Sequence, residues 1–206
     1  MKEPIGYFKR GGKTIPIFKK EYKSYDSSSA DFVSNNPGVD YNESNLDNNE
    51  KRAISDYTSG FGYGGSDIVN RYLNGLKELS PDVKKIVDEK IKYLDSAIKN
   101  KLSENIQVFR GIDVHPRELS EGLVINNYGF TSTSISRYQA SKFGTTIKVN
   151  VKKGTPALFI GSNTSSTQNE HELLFGRGHA IKITKIEKLF DKDGDFMNYE
   201  IEGELL

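Results

Sequence analysis

The feature that most constrains the fold is the order in which two hydrophobic periodicities follow each other. Between Ser80 and Ile98, apolar residues recur three and four positions apart, which predicts an amphipathic helix. In the second half of the chain, segments such as 146–151 and 180–186 alternate between apolar and polar residues, as half-buried strands do. Helices followed by strands predict an α+β fold with an antiparallel or mixed sheet.

Composition divides the chain near residue 40. The length of 206 residues suits one domain with an appendage. Residues 7–18 are compatible with a small hairpin around Gly11-Gly12, and residues 24–36 are rich in Ser, Asp and Asn, as linkers are. We therefore predict an N-terminal arm or linker at 1–40 and a folded domain at 41–206.

The composition argues against several classes of function. The formal net charge of +1 favours neither nucleic acid nor a membrane surface as a partner. The chain has no cysteine, which removes disulfides, thiolate nucleophiles and cysteine-based zinc sites, and its three histidines show no metal-ligand spacing. No apolar run approaches the roughly 18 residues of a membrane span, and no signal peptide is visible. We expect a soluble protein without a metal, either cytoplasmic or exported without a cleaved signal.

Two loops look like ligand-binding loops but lack the context that binding needs. The glycine-rich residues 60–65 follow no strand and precede no Gly-Lys-Ser/Thr, so we interpret them as a connector. The acidic residues 191–195 resemble a calcium loop, but Phe196 occupies the sixth position, where an EF-hand needs glycine. We interpret this segment as a hairpin turn.

Two carboxylates, Glu170 and Glu172, stand two positions apart, immediately before the apolar segment 173–175. In an extended strand both would point to one face, and His171 would point to the other. Two like charges so close are disfavoured unless a cation, a hydrogen-bond donor or a substrate answers them. The pair indicates either a solvated strand edge or a functional site.

Two earlier strand motifs supply matching chemistry, Val-Phe-Arg-Gly at 108–111 and Phe-Thr-Ser-Thr-Ser at 130–134. Arg110 can bind a pyrophosphate through two parallel hydrogen bonds, and the Ser132 hydroxyl can hold a carboxylate in one rotamer. A carboxylate can stabilise the positive charge that develops at a sugar carbon, and a second one can deprotonate the incoming nucleophile.

The order of these motifs resembles the mono-ADP-ribosyltransferase exotoxin family of the arginine–serine–glutamate class. Other segments resemble the family in the same order: Tyr57-Thr58, 69–73, Phe143 with the residues up to Ala157, and 173–178. The resemblance covers roughly residues 41–205. It implies an α+β fold in which a helical part precedes two packed, mostly antiparallel sheets that bind NAD in a cleft.

The resemblance also implies roles for single residues. Arg110 would bind the NAD phosphates and the nicotinamide-side ribose, and Gly111 would let the backbone approach the cofactor. Ser132 would hold Glu172, which would bind the ribose 2′-hydroxyl and stabilise the transition state. The remaining cofactor-binding positions would be Tyr57, Asn70, Thr133 and Phe143. Glu170, two residues before the catalytic Glu172, implies an arginine as the acceptor.

These implications define the expected reaction and its alternatives. NAD would be a substrate, the partner would be a target protein presenting an arginine, and the enzyme would be a monomer that binds no nucleic acid. It would be secreted or delivered as a toxin or effector, or act in the cytoplasm. NAD hydrolysis and a catalytically idle binding module of the same fold remain open. A glycosidase is disfavoured, because its carboxylates flank the bond that breaks.

One departure from the family pattern concerns the phosphates. Toxin relatives often carry an arginine shortly after the phenylalanine of the middle segment, whereas Gly144-Thr145-Thr146 follow Phe143 here. A second phosphate contact would therefore be absent, or it would come from Arg137 or Lys142.

Overall fold

The computed structural model describes residues 6–10, 13–17, 21–26, 28–161 and 171–206. Its helices and strands in chain order are β1 (Gly6–Arg10), β2 (Lys13–Ile17), β3 (Lys23–Ser24), α1 (Ser29–Asn35), α2 (Asn48–Ser59), α3 (Ser66–Leu73), α4 (Pro81–Ala97), β4 (Ile106–Ile112), β5 (Val124–Asn126), β6 (Phe130–Ser134), α5 (Arg137–Ser141), β7 (Thr145–Val151), β8 (Ala157–Gly161), β9 (Glu172–Arg177), β10 (Ala180–Phe190) and β11 (Phe196–Leu205). Short 3-10 helices lie at Pro37–Val39 and Pro116–Glu118. The helices α1 to α4 precede the strands β4 to β11, with only the short α5 among those strands, and this segregation confirms the predicted α+β class.

Local sequence signals account for the helix boundaries. Asp47 accepts hydrogen bonds from the backbone of Asn49 and Glu50, and the Glu50 carboxylate accepts one from the Asp47 amide. This capping box fixes the start of α2. Pro81 stands in the first turn of α4, where its missing amide hydrogen is not needed. Within the described residues, no helix is both long enough and apolar enough to span a bilayer.

The sheet consists of two parts that meet at one residue pair. Strands β5, β10, β11, β7 and β4 lie side by side in that order, and β6, β9 and β8 follow. Neighbours are antiparallel except for β11 with β7, and for β3, which runs parallel to β4. Between β4 and β6 only Phe109 and Ser134 pair. We call this junction the seam, and it separates the two predicted sheets.

The two parts of the sheet pack face to face, and the helices cover the outer face of the smaller part. Along β8, Ala157 and Phe159 belong to the core between the two parts, whereas Leu158 and Ile160 pack with the helices. This follows from the alternation of side chains along a strand. Since β8 is buried on both faces, its sequence is an unbroken apolar run rather than an alternating one.

The core also draws on residues before position 40. Residues 24–36, whose composition is typical of a linker, contain α1, and Tyr25, Phe32 and Val39 are buried between the two parts of the sheet. Phe32 packs edge-on against Tyr25 and tilted against Phe159. This stretch therefore contributes a helix and three buried side chains to the core, and the division into an arm or linker at 1–40 and a domain at 41–206 stays a prediction. Strands β1 and β2 pair antiparallel, as a hairpin in residues 7–18 requires.

Phe32→Leu is expected to lower the free energy of unfolding by about 2 kcal/mol. The change removes two aromatic contacts, each contributing roughly 0.5–1.5 kcal/mol, and leaves part of the volume unfilled. Chemical denaturation measures the difference. Phe61→Leu is the matched control, because Phe61 is 86% exposed and its loss should matter little. Equal effects of the two substitutions would show that α1 does not contribute to the core.

Candidate active site

A cavity of about 390 Å³ opens beside the seam, between the helices and the smaller part of the sheet. Each site residue that the sequence predicts and the structure describes lines this cavity: Tyr57, Asn70, Arg110, Gly111, Ser132, Thr133, Phe143 and Glu172. Glu170 and the neighbouring positions 162–169 lie outside the described residues. The cavity therefore gathers residues separated by more than a hundred positions in sequence.

Three strands bring the polar groups of the cavity together. Ser132 on β6 lies opposite Leu174 on β9, which places Glu172 diagonally across from it on the same face. The Ser132 hydroxyl donates a hydrogen bond of 2.6 Å to Oε1 of Glu172. From β4, Nη1 of Arg110 donates one of 2.9 Å to the carbonyl oxygen of Ser132. Ser132 thus links the guanidinium and the carboxylate across the seam.

The electrostatics of the cavity favour an anion near Arg110. Burial lowers the pKa of the Arg110 guanidinium below its ordinary value. Within the described part of the chain, no carboxylate lies within 4 Å of it. A partly buried cation without a close counter-ion is unfavourable, and a bound anion would relieve that penalty.

Tyr57 stands fully buried in the wall formed by α2. Burial, and secondly the Glu172 carboxylate, raise the pKa of its phenol well above the ordinary value, so the phenol stays neutral. Nδ2 of Asn70 donates a hydrogen bond of 2.9 Å to its hydroxyl oxygen. Oδ1 of the same Asn70 accepts one of 2.9 Å from the Phe130 amide. Asn70 therefore joins α3 to β6 and fixes the Tyr57 ring.

Gly111 is required by packing on its own chain. A Cβ atom at this position would lie 2.3 Å from the Ala140 carbonyl oxygen and 2.7 Å from Cβ of Phe143. The missing side chain therefore lets the end of α5 lie against β4. Phe143, which is 54% exposed, is thereby held at the rim of the cavity. The predicted approach of Gly111 to a cofactor stays a prediction.

The structure differs from the sequence analysis at two points. Arg137 and Lys142, considered for a second phosphate contact, do not line the cavity, and Arg137 borders a separate one. The strand alternation predicted through His171 is wrong, because His171 adopts a left-handed backbone with φ of 48° and β9 begins only at Glu172. The rule that residues i and i+2 share a face therefore does not apply across His171.

The sequence analysis missed several lining residues: Thr58, Gly60, Ser66, Phe109, Phe130, Ser134, Gln139 and Ala140. Gln139 is the most informative, because its buried Oε1 has no hydrogen-bond partner in the described structure. Such an oxygen is available to an N–H or O–H donor of a bound molecule. No helix-face signal pointed to it, because α5 ends at Ser141 and Phe143 lies in the turn that follows.

Groups that could ligate a metal do not cluster in the described residues: no set of three or more His, Asp or Glu side chains converges there. Among the described lining residues, the cavity offers one guanidinium, one carboxylate and several hydroxyl and amide groups. This set matches an anionic substrate that carries a sugar, because it offers both a phosphate ligand and a carboxylate for a developing cation.

The chain as a whole resembles known proteins. The ADP-ribosyltransferase exoenzyme family model matches residues 35–202. The NAD(+)–arginine ADP-ribosyltransferase EFV of Enterococcus faecalis is 28% identical over 202 residues, covering 83% of this chain and 40% of that protein. The chain thus spans less than half the length of this curated relative.

Solved structures show the same fold. The toxin BECa of a C. perfringens binary enterotoxin, solved with NADH, superposes with a TM-score of 0.70 at 21% identity, over 98% of this chain and 54% of that one. C3stau2 from S. aureus, solved with NAD, gives a TM-score of 0.68 at 16% identity, over 90% of this chain and 99% of that one. With the family match across most of its length, the chain belongs to the ADP-ribosyltransferase exoenzyme family.

Proposed function

We propose that this protein is a mono-ADP-ribosyltransferase. It cleaves NAD, releases nicotinamide and transfers ADP-ribose to an arginine of a target protein. The observation that carries the proposal is the chain of hydrogen bonds from Arg110 through Ser132 to Glu172 at one wall of the cavity. Family membership and the name of the enterococcal relative support the same reaction.

Glu172 is the group that acts on the bond to nicotinamide. As that bond breaks, its electron pair leaves with nicotinamide, and positive charge develops on the ribose carbon and ring oxygen. A carboxylate that is already oriented stabilises this charge without having to reorganise. The 2.6 Å hydrogen bond from Ser132 fixes one carboxylate oxygen of Glu172 in advance. Ser132 thus orients the carboxylate, and Glu172 provides the stabilisation.

Arg110 is the group that binds the phosphates of NAD. Its guanidinium can donate parallel hydrogen bonds to two phosphate oxygens, and these are stronger in a site that excludes water. Arg110 is partly buried and has no carboxylate close by in the described structure, so a pyrophosphate would complete its charge balance. Phe143 at the rim and the unpartnered Oε1 of Gln139 are placed to contact the rest of the substrate.

The arginine preference rests on Glu170. A guanidinium is a poor nucleophile while it is charged, because its pKa lies above about 12. A carboxylate beside it can orient the group and accept its proton as the new bond to the ribose carbon forms. A glutamine at the same position could accept a hydrogen bond but not the proton. Glu170 therefore favours an arginine acceptor.

Glu170→Gln is expected to lower transfer to agmatine, a free guanidinium, by about 100-fold, the usual contribution of a positioned base. Hydrolysis of NAD should continue, because water needs no such help once the sugar cation has formed. Both products can be followed by chromatography of labelled NAD. Equal losses of transfer and hydrolysis would contradict an acceptor-side role for Glu170.

The test of the function itself is incubation of the protein with labelled NAD, with and without agmatine. Label on agmatine would support an arginine-directed transferase. Free ADP-ribose without an agmatine adduct would favour a glycohydrolase, and intact NAD would favour the idle binding module.

We propose further that the enzyme works as a monomer, without a metal or nucleic acid, as a secreted or delivered toxin.

A further inference from the structure

His171 has a backbone conformation that few non-glycine residues adopt. In the described part of the chain, His171 and Asn45 are the non-glycine residues with positive φ, at 48° and 47°. Positive φ is uncommon for any non-glycine residue, although asparagine and histidine adopt it more often than most, and such a conformation persists where the surroundings hold it. The strained residue immediately precedes Glu172, so its conformation bears directly on the catalytic carboxylate.

Contacts on two sides hold His171 in this conformation. Its carbonyl oxygen accepts hydrogen bonds from the Ile135 amide at 3.2 Å and the Ser134 hydroxyl at 3.4 Å. Its Nδ1 atom contacts the hydroxyl oxygen of Ser29 in α1. Helix α1 is in turn fixed by the fully buried Phe32. The backbone of His171 is thus tied to the end of β6, and its imidazole to the N-terminal helix.

We propose that His171 is a positioning residue for Glu172, and that Ser29 is its anchor. The left-handed turn directs the chain into β9, so that the Glu172 carboxylate meets the Ser132 hydroxyl. Ser29 lies before residue 35, where the family match begins, so this support comes from outside the matched region. The expected effect on kcat rests on the proposed function, whereas the expected effect on the position of the Glu172 carboxylate does not.

The kinetic test compares His171→Val with His171→Gly. Valine is strongly disfavoured at positive φ and glycine is not, so kcat for NAD cleavage should be about tenfold lower for valine than for glycine. The KM for NAD should be similar in both, because Arg110 is untouched. Ser29→Ala should lower kcat about threefold, the effect of losing one hydrogen bond. Asn45→Val is the matched control: it strains a surface turn and should leave kcat unchanged.

A spectroscopic readout separates this proposal from the proposed function. The carboxyl carbon of Glu172 can be observed by NMR in protein with labelled glutamate and assigned by its loss in Glu172→Gln. Its chemical shift should move most in His171→Val, move less and to a similar extent in Ser29→Ala and His171→Gly, which both lose the contact between Ser29 and the imidazole, and stay near the wild-type value in Asn45→Val. This measurement needs no turnover of NAD. An inactive wild-type protein would therefore refute the transferase, while the spectra would still test His171.

Three results would overturn the proposal. One is a His171→Val variant with wild-type kcat and an unmoved Glu172 resonance. Another is a glycine variant as impaired as the valine variant, since the backbone would then not be the cause. The third is a Ser29→Ala variant that is unchanged in both measurements, which would remove the anchor. If His171→Val does not fold, His171→Ala takes its place, because alanine also disfavours positive φ.

Discussion

Glu172→Gln lowers the rate of nicotinamide release by about 1,000-fold, or roughly 4 kcal/mol of transition-state stabilisation. Glutamine keeps the size of the side chain and can still accept the hydrogen bond from Ser132. It lacks the negative charge that faces the developing sugar cation, so the loss falls on kcat rather than on NAD binding. Transfer and hydrolysis should both disappear, because the same bond breaks first in each. Release of nicotinamide from NAD, measured at saturating substrate, provides the test.

The matched control for this prediction is Glu187→Gln. Glu187 is an exposed carboxylate on β10 that pairs with Lys185 and does not line the cavity, so its neutralisation should not alter turnover. Folding of both variants can be compared by circular dichroism. A Glu172→Gln protein that is folded and fully active would remove Glu172 from the reaction.

Arg110→Lys is expected to lower kcat/KM for NAD by about 100-fold, chiefly through a higher KM. Lysine keeps the positive charge but cannot donate two parallel hydrogen bonds to a phosphate. Its ammonium also does not reproduce the guanidinium geometry that binds the Ser132 carbonyl, so part of the link to Glu172 is lost. Initial rates over a range of NAD concentrations separate the effect on KM from the effect on kcat.

Arg137→Lys is the control for charge and residue type. Arg137 borders the separate cavity near β7 and β11 and does not line the candidate site, so the kinetics should stay as in the wild type. If Arg137→Lys raised KM as much as Arg110→Lys, the phosphates would have to lie elsewhere than beside Arg110.

Local periodicity was enough to predict much of this fold. The alternation at 146–151 corresponds to β7, and the helical spacing from Ser80 to Ile98 corresponds to α4. What it could not show is which strands pair, because β11 lies beside β7 through contacts more than fifty residues apart in sequence. The N-terminal helix was missed for a related reason. One buried phenylalanine, Phe32, stabilises α1 from a distance, while its polar neighbours are typical of a linker.

The candidate site was predictable where motif order and strand geometry agreed. The three motifs around Arg110, Ser132 and Glu172 follow each other in the order of the family that the sequence resembles, and the sheet brings them together. The left-handed turn at His171 was not predicted, because strand alternation does not show where a strand begins, and the contacts of His171 with Ser134, Ile135 and Ser29 join positions that are distant in sequence. Strain at a functional site is a property of the assembled fold, and local rules do not reveal it.

The seam has a consequence for inhibition. The two sheet parts share one backbone pair there, and the side-chain link from Arg110 to the Ser132 carbonyl crosses the same gap. A planar anionic compound with a strong hydrogen-bond acceptor could compete with the Ser132 carbonyl for the Arg110 guanidinium and bind between the two strands. It would separate the phosphate ligand from the carboxylate without resembling a dinucleotide.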